Sequence, residues 1–142
     1  SLYNVGSIFR TAAGVGVQKL WLCGITGIPP SNKIAKTALG AEESTPWEYR
    51  KDAAALAREL KNKGYQILLL EQTEQSISYE IFEPNFPVCL VLGCETTGVE
   101  DELVALSDAA IEIPMTGKKI SLNVAVAFGI VAYHFRQHWK MG

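Results

Sequence analysis

The sequence holds little of what most enzymes use for proton transfer or metal binding. Histidine occurs twice in 142 residues, at His134 and His138, both near the end of the chain. The three cysteines, Cys23, Cys89 and Cys94, are an odd set without metal-ligand spacing, so neither a cysteine-based metal site nor a disulfide framework is indicated. Cys23 and Cys89 sit in apolar, strand-like runs where buried thiols are common, and reduced thiols in a cytoplasmic protein are the plain reading. No apolar run reaches the roughly 18–20 residues of a membrane helix; the longest, residues 121–135, is too short and studded with small side chains. A signal-peptide pattern, an internal repeat and a low-complexity stretch are all missing. There is no starting Met, and the chain opens directly in Ser1-Leu2-Tyr3-Asn4. No room is left there for a preceding strand, so residues upstream of Ser1 are expected. Positive charge is scarce too: 13 Lys and Arg face 15 Asp and Glu, a net charge of −2. An RNA-binding protein usually shows a basic footprint. Here there are only small clusters, Lys33 with Lys36, Lys118 with Lys119, and Arg136 with Lys140. Composition alone does not lead to RNA.

What is present is the pattern of one ordinary α/β domain, residues 1–142, able to bury a single core. Apolar runs of strand length alternate with helical periodicity, which argues for a mostly parallel sheet flanked by helices. Helices are predicted over residues 5–13, with Asn4 as a candidate N-cap and Gly14 and Gly16 as stops, and over 33–39, 52–63, 101–107 and 121–140. In the clearest of them, residues 52–63, Leu56 and Leu60 are four apart and Gly64 follows. Strands are predicted at 19–23, 45–49, 65–70, 88–92 and 110–113. Residues 72–85 read as polar and irregular, with room for one short helical turn. Loops at 93–98 and 114–119 follow strands, and ligands of open α/β sheets bind beyond the carboxyl ends of strands.

Three segments stand out. In Leu92-Gly93-Cys94-Glu95-Thr96-Thr97-Gly98-Val99 two glycines bracket a carboxylate just past a buried strand. Glycine lets backbone amides approach a ligand, and Glu95 could meet a loop, a ribose or an amine. An ordinary strand-to-helix turn with Glu95 in solvent explains the same residues. In the run from Ile113-Pro114-Met115 through the Gly117-Lys118-Lys119 loop to Ser121-Leu122-Asn123, Ser121 is a good N-cap for the last helix. Asn123 is then a polar amide within an apolar first turn, where it must find partners or cost stability. Ala125, Ala127 and Gly129 would let another chain segment pack very close, although a buried core helix accounts for them equally. In Asn4-Val5-Gly6-Ser7-Ile8-Phe9-Arg10-Thr11-Ala12, Arg10 lies on a helix beside Ile8 and Phe9. It either faces a phosphate or carboxylate or is simply solvated. Tyr133, Phe135 and Trp139 on the last helix suit a dimer contact or the core of the same subunit equally well.

Separately these signals are weak, but their ordered combination resembles the motif set of the SpoU (TrmH-like) branch of the SPOUT superfamily. The resemblance covers nearly the whole chain, and Lys36-Thr37-Ala38-Leu39-Gly40-Ala41 matches a middle segment common in that family. Missing are the first strand that family members carry before the first motif and any RNA-recruiting extension. The resemblance implies a parallel sheet whose last third forms a trefoil knot, and transfer of a methyl group from S-adenosylmethionine to a ribose 2′-hydroxyl of tRNA or rRNA, leaving S-adenosylhomocysteine. It implies a cofactor cradle of Leu92, Gly93, Glu95, Gly98, Ile113, Met115, Ser121 and Leu122. It implies a catalytic end of Arg10, Asn4, Glu95, Ser121 and Asn123, no metal, and a homodimer with its site near the interface. Arg10 would stabilise the ribose oxygen, from its own or the partner subunit. Two other readings compete: a related enzyme that methylates a base nitrogen, and an RNA- or nucleotide-binding module without activity. A Rossmann oxidoreductase is remote, since no Gly-x-Gly-x-x-Gly follows the first strand.

Overall fold

In the computed structural model, which describes residues 1–93, 98–117 and 121–139, the first helix starts earlier than the sequence pattern predicts. Helix α1 spans Leu2–Val15, and its N-cap is Ser1, whose hydroxyl accepts from the Asn4 amide at 3.2 Å. Asn4 is therefore not the cap: a serine three residues upstream meets the orphan amide first. Gly14 is likewise inside the helix, which ends at Gly16 in the left-handed conformation. By their contacts the residues divide into two units, Ser1–Asp52 and Ala53–Gly142.

In the first unit α1 is followed by β1 (Leu20–Cys23), α2 (Asn32–Ala38), α3 (Ala41–Ser44) and β2 (Trp47–Arg50). Strands β1 and β2 pair in parallel, with Leu20 opposite Trp47. The core gathers Val5 and Phe9 of α1, Leu22 of β1, and Ile34 and Ala38 of α2; Phe9 meets Trp47 edge-on at 6.4 Å between centroids. The two helices approach so closely that only glycine fits at position 6. A Cβ there would lie 2.0 Å from Thr37 Oγ1 and 2.3 Å from the Ile34 carbonyl oxygen. The Thr37 hydroxyl in turn donates to the Tyr3 carbonyl at 2.8 Å. Gly6 and Thr37, from two separate sequence motifs, are thus halves of one helix–helix contact.

The second unit holds α4 (Ala53–Asn62), β3 (Gln66–Leu70), β4 (Ile77–Ser78), β5 (Val88–Val91), α5 (Gly98–Leu106), β6 (Ala109–Glu112) and α6 (Val124–Arg136). Its sheet has the order β4-β6-β3-β5, and every described pairing is parallel. The predicted central strand is central: Ile67, Leu68 and Leu69 of β3 are all buried. Leu68 packs with Ile111, Val131 and Phe135, so α6 covers one face of the sheet. Leu103 of α5 packs with Ala54 and Ala57 of α4. Strand β4 lies in the stretch predicted as irregular; at two residues it carries no periodic signal and exists only through its pairing with β6.

The last helix is shorter than predicted. Asn123, not Ser121, is the N-cap, and its Oδ1 accepts from the Ala125 amide at 2.8 Å and the Val126 amide at 3.4 Å. The polar residue that looked out of place in an apolar turn is the one that starts the helix. Of the three aromatics near its end, Phe135 is core, whereas Tyr133 and Trp139 stay about half exposed.

Asp108 fixes the register of β6 on β3. Its amide donates to the Ile67 carbonyl and its carboxylate accepts from the Ile67 amide, both at 2.7 Å. The Ile67 amide, with help from Lys61 at 3.1 Å, holds the carboxyl below the usual aspartate range against a weaker opposing effect of desolvation. A carboxyl depressed in the folded state contributes stability above its unfolded pKa near 3.9 and loses it as pH falls through the lower folded value. Asp108→Ala is therefore expected to lower stability at pH 7 by about 1–2 kcal/mol in urea titrations. The difference from wild type should close below about pH 4; a gap unchanged down to pH 2 would show that the charge is not involved.

Candidate functional site

Strands β5 and β6 flank β3 in parallel, so the chain leaves both at the same carboxyl edge of the sheet. Two strand spacings separate their exits, about 10 Å. Val91 and Ala110 are both opposite Leu69, which brings Leu92–Gly93 and Ile113 out at nearly the same level. Gly93 has φ 67, in the left-handed region that favours glycine, and open space where a Cβ would stand. Its backbone can be approached closely. Leu92, Ile113 and Met115 are half-buried at this edge, and Leu122, just before α6, is half-buried as well. Ser121 and Asn123 are exposed. Gly98 begins α5. Glu95, with Cys94, Lys118 and Lys119, lies outside the described residues.

A third loop at the same edge falls mostly in the stretch read as polar and irregular, to which the sequence assigned no part in the site. Residues 71–76 follow β3 and are tied by hydroxyls: Ser76 Oγ donates to the Glu71 carbonyl at 2.8 Å and accepts from the Thr73 amide at 2.9 Å. Thr73 Oγ1 accepts from the Gln75 amide at 3.2 Å. The Glu71 amide donates to the Ile111 carbonyl at 3.0 Å, and Gln72 Nε2 reaches the Ile113 carbonyl at 3.4 Å. The Thr73–Ser76 spacing, with a hydroxyl three residues after another, was the available signal for such a turn. The edge thus carries backbone groups, apolar side chains and a braced neighbour. That donor set suits an adenosine-like ligand, which needs apolar cover for ring faces and main-chain partners for ring edges.

Asn4 and Arg10 belong to the first unit. Asn4 is half-buried in the first turn of α1. Arg10 is exposed, one turn beyond Gly6 on the same row of the helix. Among the described residues no carboxylate pairs with it.

Comparison with known proteins assigns this architecture. The profile of the SpoU rRNA Methylase family matches residues 1–133. The chain belongs to this family. A tRNA (guanosine(18)-2′-O)-methyltransferase of Escherichia coli K12 is 33% identical over 135 residues, which are 92% of this chain and 56% of the relative. The chain spans little more than half the length of that relative. Among solved structures, the Aquifex aeolicus TrmH/SpoU tRNA modifying enzyme superposes with a TM-score of 0.85 at 30% identity, covering 97% of this chain and 70% of that one. An AdoMet-bound rRNA methyltransferase from Sinorhizobium meliloti superposes at 0.87 with 28% identity, covering 99% of this chain and 54% of that one. The α/β fold with parallel sheets flanked by helices is that of the SpoU structures.

Proposed function

We propose that this SpoU family chain transfers a methyl group from S-adenosylmethionine to a ribose 2′-hydroxyl of tRNA or rRNA. The observation that carries the reading is the shared sheet edge, where Leu92–Gly93 and Ile113–Met115 emerge on either side of β3. Main-chain groups of both segments read the adenine edge, and Leu92, Ile113, Met115 and Leu122 cover the ring faces. Glu95, Gly98 and Ser121 complete the cradle. When bound, S-adenosylmethionine supplies a methyl carbon made electrophilic by its sulfonium, so no metal is needed.

The chain's own task is alignment and charge stabilisation. Holding the ribose oxygen in line behind the methyl can contribute about 7–11 kcal/mol. The hydroxyl loses its proton as the carbon–oxygen bond forms and the carbon–sulfur bond breaks. A guanidinium is a poor base, so Arg10 acts by stabilising negative charge on the ribose oxygen, with substrate phosphate assisting proton removal. Asn4 and Ser121 orient the ribose or Arg10. Asn123 holds the start of α6 through its capping oxygen and acts as a positioning residue.

The same reading includes a knot, a homodimer and a cytoplasmic place of action. The knot is compatible with the sheet order, in which β6 lies between β3 and the earlier β4. Supporting the dimer, Val126, Ile130 and Tyr133 repeat at helical spacing along α6 and are 51%, 37% and 46% exposed. No helix among the described residues is long and apolar enough to cross a membrane.

Calorimetry tests the cofactor site. Both S-adenosylmethionine and S-adenosylhomocysteine are expected to bind with micromolar dissociation constants, on the order of −8 kcal/mol. Absence of heat with either ligand overturns the reading.

A further inference from the structure

The charge of this chain is unevenly laid out. Residues 1–41 contain no Asp or Glu, and the first acid is Glu42. In the same stretch stand Arg10, Lys19, Lys33 and Lys36. Lys19 is neutralised by Glu48 at 2.9 Å and lies over the Trp21 ring. The other three are exposed, and among the described residues none has an ion-pair partner. Over the whole second unit the balance is reversed, with seven Lys and Arg against eleven Asp and Glu. A net charge of −2 therefore hides an acid-free basic segment.

The three cations share a rigid mount. Arg10 is on α1, while Lys33 and Lys36 are three apart and so neighbours on one face of α2. The two helices are locked by Gly6 against Ile34 and Thr37, and by the Thr37 hydroxyl on the Tyr3 carbonyl. Lys33 and Lys36 flank the residues that make this contact, and Arg10 is about 6 Å along α1 from Gly6. Cations held on a fixed spacing without acids among them fit a regular polyanion, whose phosphates each release counterions when neutralised.

We propose that the α1/α2 face is where the RNA backbone docks, with Lys33 and Lys36 contacting phosphates beside the nucleotide that Arg10 serves. This rests on the RNA partner proposed above. It adds that substrate hold comes from α2, whose residues take no part in the cofactor cradle.

The test is the salt dependence of binding to bulk tRNA and, in parallel, to ribosomal RNA, by fluorescence anisotropy. The full-length protein is compared with a Lys33→Ala/Lys36→Ala variant. Loss of two phosphate contacts is expected to reduce the slope of log affinity against log salt by about 1.4–1.8, equivalent to about 25- to 60-fold weaker binding at 0.1 M salt. A control variant, Lys51→Ala/Lys63→Ala, removes the same charge from exposed positions elsewhere and is expected to shift the slope by less than about 0.5. Calorimetry with S-adenosylmethionine is expected to be the same for all three. Equal slopes for wild type and the α2 variant overturn the proposal, as does an equal loss in the control. So does binding to vesicles of anionic phospholipid with none to RNA. If slopes are equal yet RNA is methylated, the docking face is wrong and the methyltransferase reading stands. If wild type neither binds S-adenosylmethionine nor methylates RNA, that reading falls on its own evidence.

Discussion

Replacing Arg10 by alanine is expected to lower methyl transfer to RNA by about 10²- to 10³-fold, the usual cost of removing a group that stabilises charge developing on oxygen. Binding of S-adenosylmethionine should stay within twofold of wild type, because none of the cradle residues is touched. The fold should also be unaffected: the side chain is exposed, and alanine is the best helix former at an interior helix position. Arg10→Lys separates charge from geometry. An ammonium keeps the charge and loses the planar fork, so partial activity is expected. Single-turnover assays with saturating cofactor measure the chemical step directly. Unchanged turnover in Arg10→Ala would remove this residue from the mechanism while leaving the cofactor site intact.

Gly6→Ala is expected to be strongly destabilising. The added carbon would meet the Thr37 hydroxyl at 2.0 Å and the Ile34 carbonyl oxygen at 2.3 Å. Overpacking costs typically about 1–3 kcal/mol, and contact with a helix backbone that cannot rotate away puts this case near about 3 kcal/mol. The double variant Gly6→Ala/Thr37→Ala clears the hydroxyl and leaves the carbonyl, so it should not restore stability. Urea midpoints of the single and double variants check both statements. A single variant within about 0.5 kcal/mol of wild type, or full rescue by the double, contradicts so close an approach of α1 and α2.

The elements most legible in the sequence were those whose signal is local. Helix α4 and strand β3 were read within a residue or two at each end, since Leu56, Leu60 and Gly64 mark one and a continuous apolar run marks the other. Helix starts were less legible. Ser1 and Asn4, and Ser121 and Asn123, are all good caps a few residues apart, and the choice depends on which oxygen meets which amide. Strand β4 was invisible because two residues become a strand only beside β6. The role of Gly6 was hidden for a similar reason, since it depends on a carbonyl 28 residues away. Strands β5 and β6 were legible enough to put the exits of Leu92–Gly93 and Ile113 at one sheet edge. The braced loop at 71–76 was missed because its hydroxyls look like ordinary polar filler until their bonds are seen.

The cap at Asn123 also changes what that residue can do. As part of an apolar turn it would need a ligand or another chain to satisfy it. As a cap, its oxygen is engaged by the Ala125 and Val126 amides and fixes where α6 begins. The cap gives Asn123 a structural role of its own beside the catalytic one that the resemblance implies for it.

The central claim is that this chain methylates ribose and not base. The most direct measurement is to incubate the protein with unmethylated tRNA or rRNA and methyl-labelled S-adenosylmethionine, digest the RNA to nucleosides, and locate the label by mass spectrometry. The account predicts a 2′-O-methylnucleoside, with the label staying on the sugar fragment after the glycosidic bond is broken. Label on the base fragment, or none in RNA at all, would contradict it.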